Sequence, residues 1–154
     1  MNIELVRASV EDAEAIWQMQ LAAFAELLER YQDFDTNPGN EPLEKVQWRF
    51  SFPATYFYLI QVDGVNAGAI RIIDHKDDRP KKISPLFVLP QFCGCGVAQA
   101  AIREAERLHG SENWALDTIL QEPGNCHLYE KMGYKATEET KEINDRMTLI
   151  SYKK

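Results

Sequence analysis

Residues 2–7 alternate between apolar and polar side chains, the period of a half-buried strand, and the pattern then turns helical at Ile16, Trp17, Leu21 and Phe24. Ser9 and Asp12 stand ahead of that helix at the spacing of a capping box. From Leu27 to Phe50 the text is irregular. Asp33-Phe-Asp-Thr-Asn-Pro-Gly-Asn40 is a strong breaker inside it, and Pro42 to Phe50 reads as a second helix. This region is expected to be the variable, substrate-facing one. Thr55 to Val62 is rich in aromatic and β-branched residues, Asp63-Gly64 signals a tight hairpin, and Val65 to Asp74 is the return strand. After the polar break Asp77-Asp-Arg-Pro80, a strand is predicted over Lys82 to Val88 and a helix over Val97 to His109, stopped by Gly110. Trp114 to Leu120 reads as a strand and Glu122 to Met132 contains a short helix closed by Gly133. Two last strands flank Asn144-Asp145. The order β-α-α-β-β-β-α-β-α-β-β mixes hairpins with crossovers, so the expected class is α+β around one mixed sheet, in a single domain over residues 1–154.

The junction Pro90-Gln-Phe-Cys-Gly-Cys-Gly-Val-Ala-Gln-Ala-Ala-Ile102 carries the most chemistry, because a short apolar strand passes through two glycines straight into a helix. Glycines let the backbone approach a ligand closely. The first helical turn aims unpaired N–H groups and the positive end of its dipole at that ligand, which favours a phosphate or pyrophosphate. A P-loop would need a lysine and a hydroxyl after the second glycine, where Val97-Ala98 stands. A dinucleotide fingerprint would need a glycine at Gln99, and the acidic residue expected further on lacks a parallel-sheet context.

Composition narrows the guests. With 154 residues, 45% hydrophobic and 27% charged, the chain can bury one good core. Net charge is −7 and pI about 5.0. The only basic pairs are Lys81-Lys82 and Lys153-Lys154, so a nucleic-acid footprint is missing and a cationic partner fits better. No apolar run approaches the ~20 residues of a membrane span, and Met1 to Arg7 lacks the basic and apolar regions of a leader, so a soluble, cytoplasmic protein with no membrane partner is expected. Cys93, Cys95 and Cys126 are an odd set without disulfide spacing and are expected as free thiols. With His127 they do not make a standard zinc pattern, and no metal is expected.

The glycine junction resembles the pyrophosphate loop of the Gcn5-related N-acetyltransferases, whose motif is Q/R-x-x-G-x-G/A after a strand ending in V-x-P. Two frames fit: Gln91-x-x-Gly94-x-Gly96 by letters, and Cys93-x-x-Gly96-x-Ala98 by distance from Pro90 and by the aromatic Phe92; the second is preferred. In that frame Cys93 replaces the customary glutamine or arginine, which removes a side-chain contact and leaves the backbone donors. Downstream, Leu128-Tyr-Glu-Lys-Met-Gly-Tyr134 is similar to the family's L-Y-E-K-L-G-F, and the likeness covers nearly the whole chain.

The resemblance implies a mostly antiparallel central sheet flanked by helices, acetyl-CoA as cosubstrate and no metal. It further implies direct, ternary-complex transfer of the acetyl group to a primary amine; dimers are common in the family. The strand before the loop would splay, pairing Leu86, Phe87 and Val88 with the pantetheine arm. Pro85 in that strand suits a bulge or edge, and equally a strand that starts late. Cys93, Gly94, Cys95, Gly96, Val97, Ala98 and Gln99 would surround the pyrophosphate. Tyr129 matches the family tyrosine that protonates the leaving thiolate, although a packed core tyrosine is the plainer alternative. Asp117 stands where some relatives that modify protein N-termini place a glutamate base; water serves as base in others. Glu26 and Glu29 would draw in a cationic acceptor or simply lie on a solvated helix face. Asn125 would cap the short helix or touch the cofactor, and Glu122 occupies the place of a cofactor-contacting asparagine. A catalytically silent acyl-CoA-binding module is the alternative function, kept open by Cys93 and Glu122.

Overall fold

The computed structural model describes residues 1–154. Seven strands form one sheet in the order β1-β2-β3-β4-β5-β7-β6: β1 Ile3–Arg7, β2 Thr55–Val62, β3 Val65–Ile73, β4 Lys81–Val88, β5 Trp114–Ile119, β6 Lys135–Asn144 and β7 Met147–Lys153. All neighbours are antiparallel except β4 and β5. Four helices, α1 Ala13–Tyr31, α2 Leu43–Ser51, α3 Val97–His109 and α4 Pro123–Lys131, complete the predicted α+β order.

Alternation along the strands divides the core in two. Ile60, Ile70, Ile72, Ile83, Trp114, Leu116 and Tyr152 point to one face, where they meet Val97, Ala101, Ile102 and Ala105 of α3 and Tyr129 of α4. Phe57, Leu59, Ala69 and Phe87 point to the other and bury Ile16 of α1 and Val46 of α2. Such side chains contribute about 1.5–3 kcal/mol each when fully buried. The α3 pattern places Val97, Ala101, Ile102 and Ala105 at helical spacing on one stripe, and Gly110 ends the helix with positive φ while its N–H bonds Glu106 O at 2.8 Å.

The boundaries of β2, β3 and α3 agree with the pattern to within a residue. Asp63 and Gly64, both at positive φ, make the hairpin turn. The start of α1 differs in detail, because Ser9 and Asp12 close a single 3-10 turn, with Ser9 N–H donating to the Asp12 carboxylate at 2.9 Å, before α1 begins at Ala13. The larger correction lies at its other end. Leu27 to Tyr31 are helical, not irregular: the i,i+4 pair Glu26–Arg30 supports the last turn, Tyr31 is buried, and the left-handed Gln32 (φ 55°) stops it. The second helix follows Pro42 as expected.

Gly68 fixes how closely β3 and β4 approach. A Cβ built there would lie 2.1 Å from Phe87 O and 3.0 Å from Val88 Cα, both backbone atoms that cannot swing aside. Just before this contact the β3–β4 register slips between Ile70 and Ile72, opposite Pro85. The proline thus sits at an irregularity inside the strand and does not delay its start.

A buried relay ties the far end of α3 to the sheet. His109 Nδ1 is 2.8 Å from Asp74 Oδ2, and its Nε2 is 2.8 Å from the Tyr58 hydroxyl, under the rings of Tyr56 and Trp114. Burial pushes the His109 pKa down in spite of Asp74. Burial pushes Asp74 up, but the His109 hydrogen bond and the Lys76 N–H and ammonium outweigh it and hold the carboxyl below its usual range.

Two outcomes follow from this packing. Gly68→Ala overpacks the β3–β4 contact by about 1–3 kcal/mol and lowers Tm by several degrees in a thermal melt. The folded His109 pKa lies below the unfolded value of about 6.5, so the native state binds fewer protons and stability falls as pH drops through that value. His109→Gln, measured by melting at about pH 7.5 and about pH 5.5, on either side of that value, starts less stable and loses less Tm on acidification than the parent.

Candidate active site

The loop from Cys93 to Gln99 is a nest of unused donors. Cys93 N–H bonds Pro90 O at 3.2 Å, and the first helical bond of α3 runs from Ala100 N–H to Gly96 O at 3.1 Å. Between them the amides of Gly94, Cys95, Gly96, Val97, Ala98 and Gln99 donate to no acceptor in the chain. Gly94 (φ 80°) and Gly96 (φ 78°) supply the left-handed turns that bend these amides round the start of the helix. Cys93, Gly94, Cys95 and Gly96 are exposed, Ala98 and Gln99 half-buried, and the Val97 side chain is sunk in the core. In the preferred motif frame Cys93 offers the ligand main chain only, and its Sγ–H turns back to Leu89 O and Val88 O at 3.5 and 3.7 Å.

A gap in the sheet leads up to this nest. β4 and β5 pair only at Lys81–Trp114 and Lys82–Ala115, after which they diverge. On its other side β4 follows β3 as far as Leu89 N–H to Ala67 O, 2.7 Å. By the alternation of an antiparallel ladder, Leu86 and Val88 therefore turn their backbone groups toward the gap, while Phe87 turns its own toward Ala69. The Phe87 ring packs edge-on against Phe24 of α1 at 5.8 Å, in the core layer opposite α3.

Tyr129 of α4 borders the α3-side core, with ring centroids 5.9 Å from Tyr134 and 6.3 Å from Tyr152. Its ring is buried while its hydroxyl bonds no protein group and keeps contact with solvent. Burial, with a smaller push from Cys126, raises its pKa to about 12, so the phenol stays protonated at neutral pH. Asp117 of β5 is exposed and paired with Ser151 of β7. Lying between Leu116 and Thr118, it projects from the sheet face opposite the one Leu116 shares with Tyr129, and no hydrogen bond joins the two candidates. Asp117, Glu139, Lys141 and Ser151 line a cavity of about 200 Å³. A larger one of about 390 Å³ lies between Gln32–Thr36 and Lys141–Asn144, with Asp33, Asp35 and Glu142 against one lysine.

The start of α4 differs from expectation. Its cap is Glu122, whose carbonyl accepts from Asn125 N–H at 3.1 Å and Cys126 N–H at 3.2 Å, so Asn125 lies within the first turn and does not cap it. The Asn125 side chain makes no hydrogen bond within the chain. The Glu122 carboxylate accepts from Arg30 Nη1 at 2.7 Å and, very closely, from the Tyr31 hydroxyl. Arg30 also holds Glu26 at 2.6 Å, which commits that carboxylate to the clamp; Glu29 is exposed on the same helix. Asn144 Nδ2 reaches Tyr31 O at 2.9 Å, joining the β6–β7 turn to the same point. The clamp was invisible in local sequence patterns because Tyr31 and Glu122 are 91 positions apart. No three histidine, cysteine, aspartate or glutamate residues gather at metal-binding distances, and no helix is long and apolar enough to cross a membrane.

Comparison with known proteins agrees with this arrangement. The profile described as Acetyltransferase (GNAT) family matches residues 21–134. No curated protein matches the chain. Among solved structures, an acetyltransferase from Thermus thermophilus superposes with a TM-score of 0.73 at 15% identity, over 99% of this chain and 96% of that one. The ribosomal-protein-S18-alanine N-acetyltransferase from Escherichia coli gives 0.76 at 12% identity, covering 98% and 92%. The PaiA N-acetyltransferase from Thermoplasma acidophilum, solved in complex with coenzyme A, gives 0.68 at 17% identity over 100% of both chains. The profile spans well over half the chain, both of its ends fall inside the fold just described, and the likeness in sheet and helices extends beyond them: the chain belongs to the acetyltransferase (GNAT) family.

Proposed function

We propose that this protein is an acetyl-CoA-dependent N-acetyltransferase that passes the acetyl group directly to a primary amine. The observation that carries the reading is the run of six unpartnered amides from Gly94 to Gln99 at the head of α3, next to a strand whose edge is open. These donors fit a diphosphate, and the Leu86 and Val88 backbone groups facing the gap fit the amides of a pantetheine arm. The neighbour from Thermoplasma acidophilum binds coenzyme A on the same fold, which supports this use of the loop.

In the transfer the amine nitrogen attacks the thioester carbonyl, the carbon–sulfur bond breaks, and the leaving sulfur takes a proton. Tyr129 is the proposed donor, kept neutral by burial and with its hydroxyl uncommitted to the protein. The incoming amine must first lose a proton. For a lysine-like amine with pKa about 10.4 this costs roughly 4.6 kcal/mol at pH 7. Asp117, which lines the smaller cavity, is the proposed base, acting directly or through water. The carboxylates of Asp33, Asp35 and Glu142 favour a cationic acceptor in the larger cavity. A silent acyl-CoA-binding module is the second reading. It is favoured by Glu122, which spends on Tyr31 and Arg30 the side chain that relatives give to the cofactor.

Release of free thiol from acetyl-CoA over a panel of polyamines, peptides and amino acids separates the two readings: the transferase shows acceptor-dependent thiol, the module binds and releases none. Tyr129→Phe removes a hydroxyl with no protein partner, so Tm and acetyl-CoA affinity hold while kcat falls by about a hundredfold or more. An unchanged kcat overturns the donor role. Asp117→Asn lowers kcat/KM at neutral pH by about tenfold or more while acetyl-CoA affinity holds; an unchanged kcat/KM assigns the base to water.

A further inference from the structure

We propose that Cys93 and Cys95 form a reversible disulfide that switches off cofactor binding, a modification site built into the loop proposed above to hold the diphosphate. It rests on that reading of the loop and adds a means of controlling it.

Both thiols are free and exposed, one residue apart, on either side of Gly94 in the turn that precedes α3. Cys95 Sγ–H lies 3.8 Å from Cys93 O, so its sulfur already leans back over the preceding residue. Cys93 plays a different part. Its Sγ–H reaches Leu89 O and Val88 O, and with Cys93 N–H on Pro90 O it pins the loop to the end of β4. The third thiol is unlike these two: Cys126 is half-buried in α4 with its Sγ–H toward Ile119 O at 3.7 Å.

The chemistry balances with a low-molecular-weight disulfide as oxidant. Cys95, as thiolate, attacks one sulfur of the small disulfide; that S–S bond breaks and one small thiolate leaves, giving a mixed disulfide. Cys93 then gives up its proton to solvent and attacks Cys95 Sγ, and the second small thiolate leaves. The protein dithiol is oxidised and one small disulfide is reduced to two thiols. To reach Cys95 the Cys93 sulfur must rotate off the Val88 and Leu89 carbonyls, losing the side-chain pin between loop and strand. The new ring also constrains Gly94, whose positive φ turns the amides of Gly94, Cys95 and Gly96 outward together. The oxidised loop presents those amides in another arrangement, and the diphosphate loses its seat. Reduction by excess small thiol restores it.

Oxidised glutathione is the oxidant in the test, and acetyl-CoA is the calorimetric probe because it has no free thiol with which to reduce the product. The expected result is acetyl-CoA binding by the reduced protein, the loss of two hydrogens mapped to the peptide holding Cys93 and Cys95, affinity weaker by about tenfold or more, and recovery with dithiothreitol. The same response is expected in a Cys126→Ser background. Cys95→Ser, whatever its own affinity, gives the same Kd before and after oxidant. Binding that is equal in the reduced and the mapped, oxidised protein overturns the switch and leaves the loop assignment standing. So does oxidant treatment that yields no bond between these two cysteines. Reduced protein that fails to bind acetyl-CoA overturns the loop assignment itself, and the switch with it.

Discussion

The two-residue contact between β4 and β5 is the constraint on which the rest of the molecule depends. Parallel pairing at Lys81–Trp114 and Lys82–Ala115 joins the two halves of the sheet, and its absence beyond those residues opens one edge of β4 inside the fold. An unpaired edge normally carries a cost in unsatisfied backbone groups. Here Gly68 holds β4 tightly on its other side, so the strand keeps its place without a second neighbour. The open edge leads toward the α3 nest, and between them lies a short turn whose Leu89, Phe92 and Cys93 N–H groups are spent on Ala67, Leu89 and Pro90.

The boundaries of most elements were legible from the chain itself, and the reason is local. The Asp63-Gly64 turn, Gly96 and Gly110 at the two ends of α3, and Gly133 after α4 act through their own backbone, so they mark boundaries wherever they stand. The glycine loop could be read for the same cause: the donors are main chain, and only turn geometry is needed to expose them. The end of α1 was less legible because it is set by a tertiary contact. Its last turn survives through Glu26, Arg30 and a buried Tyr31 whose partner lies on another helix. The side-chain orientation of Cys93 was also hidden, since its carbonyl partners depend on how the loop folds back on β4.

The clamp at Glu122 links the two sides of the gap. Tyr31 and Arg30 end the helix that precedes the larger cavity, and Glu122 begins the helix that carries Tyr129. Arg30 is partly exposed and its ion pairs are individually weak in water. The Tyr31 hydroxyl is better shielded, and the bond from Asn144 to the Tyr31 carbonyl brings the β6–β7 turn into the same assembly. Three segments distant in sequence are thereby tied at one point, and their spacing around the cavity is set together.

The outermost strand shows how such a sheet stops growing. β6 is solvent-exposed over most of its ten residues, and it bears Lys135, Glu138, Glu139, Lys141 and Glu142 along its length. A second chain approaching edge-on would strip water from these charged side chains, while slips in the β6–β7 register keep the rim from being straight. The β6 border of the sheet is thus chemically hostile to a foreign strand, whereas the opening between β4 and β5 leaves the gap-facing backbone of Leu86 and Val88 with no strand beside it.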